Sequence, residues 1–217
     1  MIKAVIFDLD NCLAAATEVG EPLFAPAFDA IRRANRGTVS EESLREAFAD
    51  CWRHPLDWVA TKYGFSETML TAGWKVLVAA EVKAPMHGYG DLAILAELPV
   101  QRFLVTSSFR RLQESKIKAL GLEQVFTAIY VDAIDEPDRQ GKQGHFQMIL
   151  DTYHFRPADV LVVGDSPESE IDAGNRLGIR TAQILREGVP RGDNATYYIH
   201  SLAELRELLP CPEDNAA

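Results

Sequence analysis

The chain is poor in cysteine, in positive charge and in long apolar runs. Its three cysteines, Cys12, Cys51 and Cys211, are far apart and show no Cys-x-x-Cys spacing. That argues against a disulfide framework or a zinc site and favours a reducing, cytoplasmic setting. Lys and Arg number 22 against 32 Asp and Glu, a formal charge of −10 without a basic cluster, so nucleic acid would be repelled. A small anionic substrate is admitted where a local cation counters that field. No apolar run approaches the ~20 residues that cross a bilayer, and no basic segment precedes an apolar one at the start, so neither a membrane span nor a cleaved signal peptide is expected. Nothing in the sequence sets an oligomeric state.

The 217 residues suffice for one core and a modest second lobe, at the usual ~100 to 200 residues per domain. Apolar, β-branched runs of strand length stand at 4–7, 102–107, 128–131, 160–164 and 181–185. Most are continuous rather than alternating, as strands buried on both faces are. Between them lie helical patterns. Phe146, Ile149, Leu150 and Tyr153 recur at helical spacing, and Leu202, Leu205 and Leu209 mark a last helix with Ser201 as its N-cap. Strand alternating with helix predicts an α/β fold built on a doubly wound parallel sheet.

One stretch breaks the alternation. Phe24, Phe28 and Ile31, then Leu44, Phe48 and Trp52, recur at helical spacing, with Ser40 and Ser66 as N-caps and Gly64 as a stop. The predicted organisation is a core of residues 1–14 and 87–210, a helical lobe inserted at 15–86, and a frayed tail at 211–217. The connections at 14–17 and 85–90 carry small and glycine residues that can absorb a hinge rotation.

The first strand ends in VIFDLD, with Asp8 and Asp10 two residues apart. In an extended chain both carboxylates would point one way. In open parallel sheets ligands bind beyond the carboxyl ends of the strands, and the residues just past each strand fit that place. Asp8 and Asp10 follow the first strand, Thr106, Ser107 and Ser108 the second, and Asp165, Ser166 and then Glu170 the fourth, while Lys142 opens a helix. Four carboxylates against one lysine call for a hard divalent cation, and magnesium suits carboxylate oxygens and phosphate together.

With these residues in place, the chain resembles the haloacid dehalogenase-like superfamily of phosphohydrolases, in the subgroup with a helical cap after the first strand. VIFDLDNCL is similar to its first motif, LVTSS to the second, Gly141-Lys142 to the third and VVGDSPESEIDAG to the fourth. The resemblance implies a Rossmann-like core, and a magnesium-dependent phosphatase acting on a small phosphorylated metabolite. It implies Asp8 as the nucleophile that forms an aspartyl phosphate and Asp10 as the acid and base. Thr106, the backbone N–H of Ser107, and Lys142 would hold the phosphoryl group. Asp8, the backbone carbonyl of Asp10, and Asp165 would ligate magnesium, with Glu170 in the ligand set or just outside it.

The chain departs from the family pattern at Cys12 (commonly threonine), Glu170 (usually aspartate) and Gln143 (often proline). Lys116 and Lys118 rival Lys142 as the third-motif lysine but are assigned to a solvated helix face. Trp52, Trp58 and Trp74 are assigned to the core of the inserted lobe, and the five histidines to surface or capping roles. Arg53 and His54, at a helix break, are candidates to face the site. For Asp132 and Asp135 a turn role and a binding role both stay open. A phosphomutase uses the same motifs and is the alternative function. A haloacid dehalogenase has no need of Asp10, a phosphoacceptor signalling domain lacks the inserted helices, and a non-catalytic binding protein would not need all four motifs.

Overall fold

The structure, a computed structural model, describes residues 1–209. Cys211 and the expected tail at 211–217 lie outside the described residues. Six strands, β1 (Ala4–Phe7), β2 (Gln101–Ser108), β3 (Ala128–Ala133), β4 (Val160–Gly164), β5 (Arg180–Ile184) and β6 (Tyr197–Ile199), form one parallel sheet in the order β3-β2-β1-β4-β5-β6. The first five strands coincide with the five apolar runs to within about two residues at each end. The sixth is a three-residue edge strand, too short to show as a run.

Successive strand residues face opposite sides of a sheet, and the packing follows. Val5 and Phe7 join Leu104, Leu161, Val163 and Ile117 on one face, and Ala4 and Ile6 join Phe103, Val162, Phe146 and Ile149 on the other. The second face is covered by α7 (Gly141–Tyr153), while α6 (Arg110–Ala119) brings Ile117 to the first. This parity places the site residues. Asp8 continues the Ile6 face toward α7, whereas Thr106 continues the Leu104 face toward α6. Phe7 pairs with Leu104 on one side and Val163 on the other, so β1 and β4 end within a residue of each other while β2 runs on to Ser108. The chain crosses from β3 to β4 past β1, and the crevice between diverging connections opens at the end of β1.

Between β1 and β2 in sequence run α1 (Glu21–Ala34), α2 (Glu41–Asp50), α3 (Leu56–Tyr63) and α4 (Glu67–Leu77), then the single turn α5 (Ile94–Glu97). Ser40 and Ser66 accept hydrogen bonds from the Ser43 and Met69 amides, as N-caps do, and Gly64 ends α3. Phe24, Ile31, Leu44, Met69 and Leu77 form a core of their own, which continues onto Phe109, Leu112 and Ile134 beside the carboxyl edge of the sheet. The helices thus roof the crevice. The last helix begins with a capping box of Ser201 and Glu204 and ends as α9 (Leu205–Leu208), after a short α8 (Asp172–Arg176) that follows β4.

Candidate active site

Asp8 is the first residue past β1, tied to β4 by its amide, 2.9 Å from the Val163 carbonyl. Lys142, in the first turn of α7, sets its Nζ 2.7 Å from Asp8 Oδ1 and 2.7 Å from Glu170 Oε2. Glu170 Oε1 accepts from the Ser166 amide at 2.6 Å. A side chain at Gly164 would overlap the Glu170 carboxylate, so only glycine ends β4 with that acid folded beneath it. Asp165 is held from behind, its backbone carbonyl accepting from Gln183 Nε2 at 2.9 Å. All of Asp8, Lys142, Asp165 and Glu170 are buried.

The field follows from this crowding. Burial pushes the Asp8 carboxyl up to about 7, with Glu170 and Asp10 adding to the shift and Lys142 opposing it. Asp165 is raised well above the ordinary carboxylate value, by burial first and then by Glu170 and Asp8. Burial works against the Lys142 ammonium, but Asp8 and Glu170 outweigh it and hold the group above the usual lysine value. One oxygen from each of Asp8, Asp165 and Glu170 lies within 4.8 Å of the others. Among the described residues the Asp165 carboxylate meets only the Arg53 guanidinium, 3.9 Å away. An oxygen-rich, cation-poor group of this kind fits magnesium. Glu170 already spends both oxygens on Ser166 and Lys142, so Asp8 and Asp165 are the freer ligands.

The carboxylate of Asp10 stands apart from that group. It is taken by Lys116, whose Nζ lies 2.8 Å from Oδ1 and 2.9 Å from Oδ2, and by Gln113 Nε2, 2.8 Å from Oδ2. The same Gln113 nitrogen donates to Thr106 Oγ1 at 2.8 Å. The assignment of Lys116 to a solvated helix face is therefore wrong: it is 3% exposed. Lys118 is exposed as expected. The buried stripe of α6 is Leu112, Gln113, Lys116 and Ile117, and the place of Lys116 one turn after Leu112 and next to Ile117 was the signal for it. Lysine's long polar side chain hid that signal, because most helix lysines reach water. The charge sum changes too. Four carboxylates now face two ammonium groups, with the Arg53 guanidinium at the margin beside Asp165, and negative charge is still in excess.

Ser107 Oγ donates to Asp132 Oδ2 at 2.9 Å, and the Gly141 amide donates to Asp132 Oδ1 at 2.9 Å. Asp132 is 1% exposed. It is thus neither a turn residue nor a group facing ligand, but a brace between the second and third motifs. Arg139, which the sequence did not single out, bonds Asp132 Oδ2 at 2.9 Å and reaches Asp57 of α3 at 2.5 Å. Arg53 Nη1 donates to the Gly188 carbonyl at 2.8 Å. These contacts bound a cleft of about 590 Å³ whose floor holds Asp8, Asp10, Thr106, Lys142, Asp165 and Glu170. Arg53 and His54 do face it. Trp52 and Trp74 pack against Phe24 and Phe109 of the lobe core, but Trp52 also lines the cleft, as does Trp58, which stacks on His54 with ring centroids 3.8 Å apart. Cys12 is buried, and its carbonyl accepts from Arg186 at 3.0 and 3.1 Å, so the turn stays braced without a threonine there.

The family described as haloacid dehalogenase-like hydrolases matches the chain over residues 2–178. N-acylneuraminate-9-phosphatase of Rattus norvegicus is 29% identical over 123 residues, 54% of this chain and 49% of that protein. The match thus spans about half the length of that relative. Glyceraldehyde 3-phosphate phosphatase of Methanopyrus kandleri is 26% identical over 214 residues, 89% of this chain and 90% of that protein. A haloacid dehalogenase-like family hydrolase from Streptococcus pneumoniae superimposes with a TM-score of 0.70 at 16% identity, covering 95% of this chain and 98% of the other. At that identity the likeness shows a shared fold.

Proposed function

Since the chain belongs to the haloacid dehalogenase-like hydrolases, we propose that it is a magnesium-dependent phosphomonoester hydrolase that forms an aspartyl phosphate on Asp8. The observation that carries the reading is the buried Asp8 carboxylate, held by Lys142 at 2.7 Å and grouped with Asp165 and Glu170 at the floor of the cleft. Phosphoryl transfer asks for little beyond positioning and charge stabilisation, and these residues supply both.

Asp8, the backbone carbonyl of Asp10, and Asp165 would hold magnesium, with Glu170 beside them. When bound, the ion neutralises charge on the phosphoryl oxygens. In the first step Thr106 Oγ1, the Ser107 N–H and Lys142 hold those oxygens while an Asp8 oxygen attacks phosphorus. The bond to the leaving oxygen breaks, and Asp10 gives that oxygen a proton. In the second step Asp10 takes a proton from water as it attacks the phosphorus, which frees phosphate and restores Asp8. Segment 15–86 acts as a cap that closes over a small phosphorylated metabolite and excludes bulk water. The described cysteines, Cys12 and Cys51, are free thiols, as suits the cytoplasm.

The test is a phosphate-release screen over sugar phosphates, nucleotides, phosphoglycolate, glyceraldehyde 3-phosphate and N-acylneuraminate 9-phosphate, with magnesium and with chelator. Rapid quench and mass spectrometry should find phosphate on Asp8. Conversion of a substrate to its isomer without phosphate release would make the protein a phosphomutase. Release that survives chelation, or an unmodified Asp8 during turnover, would overturn the proposal.

A further inference from the structure

We propose that Lys116 and Gln113 are positioning residues for proton transfer: they fix the Asp10 carboxylate apart from the group formed by Asp8, Asp165 and Glu170. This inference rests on the reading of Asp10 as acid and base. Both residues sit on the buried stripe of α6, three positions apart and so one above the other on the same helix face. A lysine there must be paired, because burying an uncompensated ammonium is costly. Lys116 reaches both Asp10 oxygens, at 2.8 and 2.9 Å.

Gln113 is fully buried and does a second thing. Its one nitrogen bonds Asp10 Oδ2 and Thr106 Oγ1, both at 2.8 Å, and comes within 3.3 Å of the Ser107 carbonyl. The acid is thereby tied to the strand end that holds the phosphoryl group. Gln113 Oε1 has no donor among the described residues, so the amide is turned to serve Asp10 and Thr106 rather than to satisfy its own oxygen. Released from this cradle, a carboxylate in so cation-hungry a place would swing to Lys142 or to bound magnesium, where it could no longer meet a leaving group. The cradle holds it at the position from which proton transfer to the leaving oxygen is made.

The experiment compares Asp10→Asn, Lys116→Met, Gln113→Leu and the double variant Asp10→Asn/Lys116→Met in the magnesium-loaded protein. Single-turnover release of the leaving group is measured for an alkyl and an aryl phosphate. An alkoxide needs the proton and a phenolate barely does. Lys116→Met should therefore slow the alkyl ester ~10 to 100-fold, the usual range for loss of an orienting partner, and the aryl ester only slightly. Gln113→Leu should do the same to a smaller degree. The double variant should be no slower than Asp10→Asn alone. Equal losses on both esters, or additive losses in the double variant, would overturn the inference and leave Lys116 a structural residue. Should Lys116→Met fail to fold, Gln113→Leu, which keeps the ion pair, decides by the same ratio. If Asp10→Asn itself fails to discriminate between the esters, the acid–base reading of Asp10 fails, and the inference with it.

Discussion

Lys142 holds its ammonium 2.7 Å from Asp8 Oδ1, across 134 residues of sequence, with both groups buried. Neither would be stable there alone, since a buried charge without a partner costs several kcal/mol. The pair also explains why the Asp8 carboxylate can sit beside two further acids. Lys142→Met should lower turnover at least ~10²-fold on the proposed reaction, as loss of a preorganised charge at the reacting group does. Steady-state kinetics on the best substrate of the screen measures it. Turnover within a few-fold of the parent would remove Lys142 from the site.

Metal and pH are linked through the same acids. A carboxyl whose proton affinity rises on folding makes the folded chain the stronger proton binder. For Asp8, raised from 3.8 to about 7, the stabilising contribution is present below pH ~4 and is lost as pH rises through about 7. Asp165 moves in the same direction. Without metal, the thermal midpoint should fall between about pH 4 and 7, and Asp8→Asn should flatten that fall. Magnesium binds the ionised acids, so the stabilisation it adds should grow over the same window. Asp165→Asn should weaken it. A magnesium effect equal at both ends of the window would contradict this account.

The hinge can be tested at Gly88. Its φ is +66°, and a Cβ there would come within 2.8 Å of the Leu13 carbonyl and closer still to Leu92. The amide of Gly88 donates to Glu18 Oε2 at 3.0 Å, which joins the two connections of the inserted lobe to each other. Gly88→Ala should destabilise the fold by more than about 1 kcal/mol, because alanine is strained where φ is positive. Glu18→Gln, which keeps one of the two oxygens that accept from the His87 and Gly88 amides, should lower the midpoint less than Gly88→Ala but alter turnover if the connections bend in the catalytic cycle. Gly88→Ala with unchanged urea midpoint would place no strain at this turn.

The sheet was legible because its strands are buried on both faces and so read as continuous apolar runs, and the inserted helices because their apolar residues recur at helical spacing. Asp8, Asp165 and Lys142 meet because they stand at strand ends or a helix start, where topology alone brings them together. Lys116, Gln113 and Arg139 were not legible. Each is a polar residue in a stretch where solvent is the ordinary destination, and each owes its place to a partner that spacing does not reveal: Asp10, far along the chain, for the first two, and for the third the nearby Asp132 together with the distant Asp57. Sequence spacing carries no record of such a partner. Asp132 lies between these cases. Its position at a strand end was visible, but not that three donors converge on it.

Those three donors give a prediction of relative size. Asp132 accepts from Ser107 Oγ, Arg139 Nε and the Gly141 amide, each at 2.9 Å, and is 1% exposed. Asp57 meets the same arginine, but its side chain is 35% exposed. Removing the buried acceptor strands the half-buried Ser107 hydroxyl and Gly141 amide, while Arg139 still reaches Asp57 and water, at a cost of about 2 kcal/mol. Removing the exposed one loses a pair worth at most about 1 kcal/mol. Asp132→Ala should therefore lower stability far more than Asp57→Ala in urea unfolding. It should also lower turnover, because it frees both Ser107 and the Gly141 turn that sets Lys142. Asp57→Ala cuts the tie from Arg139 to the inserted lobe and a bond from the Trp58 amide within α3, away from the floor of the cleft, so its effect should fall on KM and on the rate of closure. If the two variants destabilised equally, Asp132 would not be the brace between the end of β2 and the turn that sets Lys142.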